Sequence, residues 1–584
     1  MNRDSKAQAN GLLKWLEIYR LFDARGRRQI GVILFLSVVA ALLEAVGAAA
    51  IVPFIALLNT PAYLRTQPAL AQVYELSNLD SERMFMVAMS LALLGFYALK
   101  NGYLVLVNHF QSRFVYAEMR SFSGRLFSDY MRSPLEFHLQ LNSAELIRNV
   151  SNEVFAFFTH VLTASFIIVS ELFVMCALVA MLLLIAPGVT LTAAAVLGLF
   201  ALGFFSIVRP KIRRFGLQQQ EHNGERLKWI KQGLGGIKEI KVLRREEYFI
   251  DRFMHHEGNF AEAARYAMVL NQTPRLFIET IAYAALFVGV ALAFAFGANP
   301  ESILPTLALF AVAAVRLLPS ANRIAMSLTR VLFYYPAVEV LRKSRAMPGV
   351  AVSQPRTNDA ASFPWSSFRL ENVTYAYPRS PVPAVREVTL DITRGSRVAL
   401  LGSSGSGKTT LVDLITGTLQ PTSGRILIDA LEDATGLEAW RRSLGYVPQT
   451  IFILDDTIRR NVAFGIPDRD IDDRKVWDAL DRAQLKEHVR TLPQLLDAPL
   501  GENGTSFSGG QRQRIGIARA LYHNPDVLVM DEATSALDES TERSIADTLD
   551  RLPADITVIV IAHRPETMRR CNLRVKLAHG VIES

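Results

Sequence analysis

The chain has 584 residues, of which 50% are apolar and 20% are charged, and its formal net charge is +8. Its mean hydropathy of +0.21 is high for a soluble protein, and the apolar residues concentrate in the N-terminal two-thirds. This composition excludes a disordered, collagen-like or disulfide-rich secreted protein. The two cysteines lie in different parts of the chain, which argues against a disulfide framework.

Six apolar segments are long enough to cross about 30 Å of hydrocarbon as helices. They lie at residues 29–58, 82–108, 161–186, 188–208, 276–297 and 302–326. Lysines and arginines cluster before the first segment and after the fourth, as is typical of the cytoplasmic side of a membrane. An even number of spans then places both termini in the cytoplasm. Because the basic residues follow this pattern and form no separate basic face, we expect no nucleic-acid partner.

Two polar stretches, 109–160 and 209–275, separate spans on the cytoplasmic side and have helical periodicity. Proline at Ser133-Pro134 and clustered glycines at 233–236 interrupt them, so we expect two helical hairpins that reverse there. Residues 61–80 are spaced for a short external helix. We predict four parts of the chain. They are an amphipathic segment at 1–28 (or a solvated leader), a transmembrane domain at 29–344, a linker at 345–366 and a soluble domain at 367–584.

A glycine-rich phosphate-binding motif follows an apolar run at Val398–Leu401. The motif matches the P-loop pattern in its strand–loop–helix context, where backbone N–H groups and a helix N-terminus meet phosphate. Lys408 would contact the β- and γ-phosphates, and the Thr409 hydroxyl would reach Mg²⁺. The predicted phosphate-binding residues are Gly402, Ser403, Ser404, Gly405, Ser406, Gly407, Lys408, Thr409 and Thr410.

A second apolar run, Val527–Met530, ends in Asp531 and Glu532. Two carboxylates after a buried strand are costly unless they serve a metal or a proton transfer. Asp531 would hold Mg²⁺, and Glu532 would polarise the attacking water in phosphoryl transfer.

Further motifs resemble those of the ATP-binding cassette (ABC) family, in the family's order over about 365–584. Ser508, Gly509, Gly510 and Gln511, preceded by Phe507 in place of leucine, resemble the signature motif. The other matches are Gln449 (Q-loop), Asp538 (D-loop), His563 (switch histidine), Tyr377 (adenine-stacking aromatic) and Gly501–Gly504 (X-loop of exporters).

The resemblance implies a polytopic α-helical membrane domain of the ABC exporter type, with six long helices, fused to an α/β P-loop NTPase domain of ABC type. It implies an ATPase coupled to transport, with ATP and Mg²⁺ as cofactors. Glu532, His563 and Gln449 would be catalytic, and Thr409, Gln449 and Asp531 would bind the metal. One P-loop and one signature motif per chain imply a dimer. We expect a homodimer, and a heterodimer with a similar chain stays open.

Ionisable residues within spans mark candidate substrate contacts. Arg316, Arg323 and Lys100 are the basic ones, and the alternative for Arg316 is an ion pair with Glu44, Glu171 or Glu279. Glu44–Gly47, Gly236–Leu243 and Arg316–Arg323 resemble bacterial flippases of lipid-linked oligosaccharides. That resemblance implies export of a polyprenyl-pyrophosphate-linked oligosaccharide across the bacterial inner membrane. A lipid A-type, multidrug or peptide exporter, or an ATP-gated channel or regulator, is the alternative.

Overall fold

The structure, a computed structural model, divides into two compact units. Met1–Ser133 with Leu141–Ala351 form the first unit, and Pro134–Gln140 with Val352–Ser584 form the second. The structure describes residues 19, 22–59, 68–77, 79, 81–185, 187–295, 300–346, 365–378, 380–429, 434–501, 504–531, 552–562 and 568–583. Most of the predicted N-terminal segment and linker lie outside these residues, and the predicted domain boundaries stay predictions.

The first unit, hereafter the membrane unit, contains only helices as regular structure among its described residues, and each predicted span overlaps one of six long helices. The long helices are α1 (Ala24–Asn59), α3 (Glu82–Arg132), α7 (Thr163–Ile185), α8 (Pro187–Gly235), α10 (Glu246–Ala295) and α11 (Pro300–Ala346). A short helix, α2 (Pro68–Leu76), lies in the stretch for which we expected an external helix. These helices confirm the predicted helical membrane fold.

Four helical segments are long and apolar enough to cross a membrane, when only the described side chains are considered. They are Ala24–Gly47, Glu82–Arg132, Ser143–Met181 and Leu317–Ser344. Many side chains at 188–208 and 276–297 lie outside the described set. The spans that we assign to α8 and α10 are therefore predictions.

The two predicted reversals have local backbone causes. Helix α3 ends at Arg132, where Ser133 adopts an extended conformation before Pro134, and proline cannot continue the preceding helix. Helix α8 ends at Gly235, and Gly236 leads into the short helix α9 (Ile237–Leu243). Arg244 ends α9 in the left-handed conformation, with φ 52°, and α10 then returns.

The helix that enters the third span is irregular. Helix α5 (Ser143–Arg148) continues through two π-helical turns, Asn149–Glu153 and Phe157–Leu162, which flank the single α-turn α6 (Val154–Ala156). We call residues 149–162 the π segment. Such turns are rare in proteins, and those that occur are often found at functional sites.

The second unit, hereafter the cassette, contains two sheets. An antiparallel sheet has the strand order β2-β1-β4, and a second sheet has the order β5-β6-β7-β3-β8-β9, with parallel pairing from β5 to β8. The strands are β1 (Ser367–Tyr375), β2 (Val385–Thr393), β3 (Arg397–Leu401), β4 (Ser423–Ile428), β5 (Leu444–Val447), β6 (Val527–Met530), β7 (Thr557–Ile561), β8 (Leu573–Ala578) and β9 (Val581–Glu583).

Helices cover the parallel sheet on both faces. They are α12 (Lys408–Ile415), α13 (Ala434–Arg442), α14 (Ile458–Val462), α15 (Asp473–Arg482), α16 (Lys486–Arg490) and α17 (Gly509–Tyr522), and α4 (Leu135–Gln140) also belongs to this unit. Val527 and Val529 face one hydrophobic core, whereas Leu528 and Met530 face the other. This alternation is expected of a central strand buried on both faces. The α/β ATPase fold is thereby confirmed.

Candidate functional site

The glycine-rich loop joins the end of β3 to the start of α12, and its geometry requires glycine at two positions. Gly407 has φ 100°, which L-residues rarely adopt, and a Cβ there would lie 2.5 Å from the Ala384 carbonyl oxygen. A Cβ at Gly402 would overlap the Leu577 carbonyl oxygen. The neighbouring backbone therefore approaches too closely for any side chain.

The charged group of the loop is held by the backbone. Lys408, the first residue of α12, is 4% exposed, and its Nζ donates to the carbonyl oxygens of Gly402 (3.0 Å) and Ser403 (2.8 Å). Among the described residues Lys408 forms no ion pair. The Ser406 hydroxyl is buried without a hydrogen-bond partner in the described part of the chain. The loop thus presents one cation and one unused donor, a set that suits phosphate oxygens.

Tyr377 lies beside the start of α12. Its hydroxyl and the Thr410 hydroxyl are 3.0 Å apart and share a hydrogen bond, and its ring meets Tyr375 edge-on at 5.1 Å. The structure thus brings the predicted adenine-stacking residue next to the phosphate loop, although the two are 33 positions apart in sequence. Stacking itself stays a prediction.

Parallel strand order brings the remaining polar residues to the same edge of the sheet. Asp531 directly follows β6 and is 5% exposed, and its backbone N–H donates to the Val447 carbonyl oxygen at 2.9 Å. Gln449 is exposed and follows β5, the neighbour of β6. The loop that follows β3 leaves this same carboxyl edge, which is where open α/β sheets bind ligands.

These residues fit Mg²⁺ by their chemistry. The Thr409 hydroxyl, the Gln449 amide and the buried Asp531 carboxylate all supply oxygen, the donor that this hard cation prefers. A carboxylate as buried as that of Asp531 is stabilised by a nearby cation. Glu532, Asp538 and His563 lie outside the described residues, so their predicted roles stay predictions.

No sequence motif points to Asp413, which the structure adds to the surroundings of the site. Burial, together with the negative charge of Asp531, raises the pKa of the Asp413 carboxyl to about 6. Burial and the same carboxylate also raise the pKa of the nearby Tyr446 hydroxyl. The negative charge of Asp531 therefore acts on two neighbouring side chains.

The signature motif starts α17 and forms its described hydrogen bonds within the cassette. Ser508 is the N-cap of this helix, and it forms a reciprocal capping box with Gln511, which also bonds to His488 at 3.1 Å between nitrogens. Within the described residues, none of the motif's hydrogen bonds reaches the P-loop of the same chain. Gly509 and Gly510 lie in the first turn, where helix N–H groups have no intrahelical partner.

The predicted substrate residues are partly accounted for by ion pairs in the membrane unit. Lys100 Nζ lies 2.9 Å from Glu44 Oε2, and Arg323 Nε lies 2.5 Å from Glu171 Oε1. The third acidic candidate, Glu279, pairs with Arg275 at 2.9 Å. The side chain of Arg316 lies outside the described residues. All three carboxylates that we considered for Arg316 thus have another cation.

Two family models match the chain. A model described as ABC transporter matches residues 385–535, and a model described as ABC transporter transmembrane region matches residues 30–316. A solved structure titled "Structure of a bacterial Atm1-family ABC exporter with ATP bound" has a TM-score of 0.74. It covers 96% of this chain and 95% of its own at 23% identity, a likeness of fold.

Similar proteins come from several bacteria. The ATP-dependent lipid A-core flippase of Ralstonia nicotianae is 33% identical over 473 residues, which span 78% of this chain and 77% of that protein. The flippase of the same name from Cupriavidus pinatubonensis is 30% identical over 469 residues, covering 78% and 77%. The putative multidrug export ATP-binding/permease protein YgaD of Bacillus subtilis is 29% identical over 467 residues, covering 79% of both chains.

Proposed function

The chain belongs to the ABC transporter family, as an exporter whose membrane domain is fused to its ATPase domain, and from that premise we propose a specific transport reaction. ATP-driven export of an amphipathic substrate is the general activity. The proposed reaction is the flipping of a lipid A-type glycolipid across the bacterial inner membrane by a homodimer. The relatives named lipid A-core flippases carry this proposal.

Our first interpretation of the substrate, a polyprenyl-pyrophosphate-linked oligosaccharide, is less well supported. The relatives reported above are named for lipid A-core flipping or multidrug export. In addition, Lys100 and Arg323 have carboxylate partners in the membrane unit, so neither is a free cation for pyrophosphate. Multidrug export is the second candidate, favoured by the relative from Bacillus subtilis.

A dimer would bring a signature motif to a P-loop, two parts of the nucleotide site that lie apart in a single chain. The signature motif presents N–H groups at the start of α17, whereas Lys408 and the Ser406 hydroxyl lie in the P-loop. Two copies placed face to face would each bring α17 to the nucleotide that the other P-loop binds. Closure on ATP and release after hydrolysis form a switch of the γ-phosphate type.

The proposed chemistry uses residues of this edge. Lys408 would exchange its carbonyl partners for the β- and γ-phosphate oxygens, and Glu532 would orient the attacking water. Thr409, Gln449 and Asp531 would hold Mg²⁺, which supplies charge neutralisation to the phosphates when bound. His563 would contact the γ-phosphate.

Helix α4 offers a route from hydrolysis to transport. Although it lies in the first hairpin of the sequence, α4 belongs to the cassette. Leu135 packs against the cassette's hydrophobic core, and the Gln420 N–H donates to Glu136 Oε1 at 3.5 Å. Because the chain continues from α4 into α3 and α5, movement of the cassette would pull directly on two membrane-unit helices.

The decisive experiment reconstitutes the protein in liposomes and measures ATP hydrolysis and lipid flipping together. We expect lipid A with core sugars to be flipped in an ATP-dependent way, with a smaller effect for a pyrophosphate-linked glycan or a cationic drug. Glu532→Gln should abolish both activities, and Glu487→Gln, an exposed glutamate, should leave them unchanged. Flipping of the pyrophosphate-linked glycan in preference to lipid A would overturn the substrate, and ATPase activity that survives Glu532→Gln would overturn the mechanism.

Arg316 gives a separate test of phosphate recognition within the membrane. If its guanidinium binds the glycolipid phosphates, Arg316→Ala should lower the number of lipids flipped per ATP by about tenfold, the cost of one charge-assisted hydrogen bond. Arg342→Ala, on the same helix, is the control. An unchanged ratio in Arg316→Ala would remove this role.

A further inference from the structure

The membrane unit contains a cavity of about 470 Å³ outside the predicted spans. It lies between the π segment and helices α8, α10 and α11, so four separate parts of the chain line it. Gly216 lines it where α8 touches α11 so closely that a Cβ would overlap the Phe333 carbonyl oxygen. The size suits a ligand of one or two rings.

The two residues of the cavity wall with acidic or guanidinium side chains, Glu153 and Arg226, each have an oppositely charged partner. Glu153, in the first π turn and 6% exposed, accepts from Gln220 Nε2 at 2.8 Å and lies 3.4 Å from Arg148 Nε. Arg226 pairs with Glu257 at 3.0 Å. Neither of these two charged residues is thus left unpaired for an ionic ligand.

The unused hydrogen-bonding capacity is neutral. Within the described residues, the Gln219 amide and the Tyr334 hydroxyl make no hydrogen bond. Asn223 uses its carbonyl oxygen for Arg226, which leaves its NH₂ group, and Gln220 uses its NH₂ group for Glu153, which leaves its oxygen. The cavity thus combines uncharged donors and acceptors, the complement of a hydroxyl-rich ligand.

Aromatic rings supply an apolar face beside these groups. His160 stacks on Tyr334 with ring centroids 4.1 Å apart and an interplanar angle of 19°, and Phe155 and Phe260 also line the cavity. A sugar ring has hydroxyls at its edge and C–H groups on its faces, so it can use both kinds of contact.

We propose that this cavity binds neutral sugar rings of the transported glycolipid. This inference rests on the proposed function. It adds a site for the sugars that is separate from any phosphate contact at Arg316. The π turns matter because they lie along the cavity wall and place Glu153 and His160 in it.

The test measures binding to the full-length protein in nanodiscs without ATP. The probes are a diacylglycerol with a neutral disaccharide headgroup and phosphatidic acid with the same acyl chains. We expect Gln219→Leu to weaken disaccharide-lipid binding by about 5- to 10-fold and Tyr334→Phe, which keeps the stacked ring, by about threefold. Phosphatidic acid binding should not change in either variant.

Gln218→Leu is the matched control, because Gln218 neighbours Gln219 on the same helix but does not line the cavity. Wild-type affinity in both Gln219→Leu and Tyr334→Phe, or an equal loss in Gln218→Leu, would overturn the inference. Because binding is measured without turnover, failure here together with intact flipping leaves the proposed function standing. Gln219-dependent binding in a protein that flips no glycolipid would support a sugar site in the cavity and overturn its link to the transported lipid.

Discussion

A buried lysine has a different kind of partner in the membrane unit and in the cassette. In the membrane unit the buried Lys100 pairs with Glu44, side chain to side chain. In the cassette Lys408 is as buried as Lys100, but its described partners are two backbone carbonyls of the loop. A permanent ion pair suits hydrocarbon, where an unpaired charge costs several kcal/mol. Carbonyl partners can be exchanged for phosphate oxygens without leaving a second charge unpaired.

The largest effect in this comparison should come from Lys408→Ala. Removing the only charge that the loop offers should lower ATP hydrolysis by at least about 100-fold, because charge stabilisation is the main catalytic contribution in phosphoryl transfer. Steady-state hydrolysis in detergent measures it, and Lys475→Ala, an exposed lysine, serves as control. Substantial activity in Lys408→Ala would show that the cation of the loop is not used on phosphate.

The ion pair between Lys100 and Glu44 should stabilise the folded protein. Lys100→Met leaves Glu44 without its cation, and we expect the protein to lose about 3 kcal/mol of stability. The double variant Glu44→Leu/Lys100→Met should recover most of that loss, since no charge stays unpaired. Thermal unfolding in detergent measures both. If the double variant is stable but no longer flips lipid, Lys100 has the substrate role that we first assigned to it, and the comparison with Lys408 weakens.

The smallest effect concerns Asp413. Its pKa in the folded cassette is about 6, above the ordinary value of 3.8, so the folded state keeps this proton at pH values where the unfolded chain has lost it. Asp413 therefore makes the cassette more stable as pH falls from about 7 towards 4. In Asp413→Asn the cassette should melt a few degrees higher at pH 7, and this difference should shrink towards pH 4.

Nucleotide-free protein and the exposed control Asp478→Asn separate this effect from general acid destabilisation. A melting difference between wild type and Asp413→Asn that is constant with pH would show that the Asp413 carboxyl titrates normally. The conclusion that burial and the negative charge of Asp531 raise the pKa of Asp413 would then be wrong.

Much of the fold follows from patterns that act over a few residues. Pro134 and the glycines at 233–236 end helices for backbone reasons that need no tertiary partner, and the apolar segments predicted the six long helices. The π segment was not predicted, because a π turn keeps helical periodicity and has no sequence signal as local as proline or glycine.

The nucleotide site was predictable to a similar degree, for a different reason. Its loop is one continuous stretch, and its other residues follow apolar strands, whose carboxyl ends meet at one edge in any parallel sheet. Asp413 could not be recognised, since its importance depends on burial and on the neighbouring Asp531.

The amino-acid sequence alone determined the class of this protein: a helical membrane domain, a P-loop ATPase and the order of their motifs, all of which depend on local spacing. Tertiary structure alone decided which charges meet. Lys100 and Glu44 are 56 positions apart, and Arg323 and Glu171 are 152 apart. Coulomb attraction depends on distance in space and on the surrounding dielectric, and neither quantity can be read from separation along the chain.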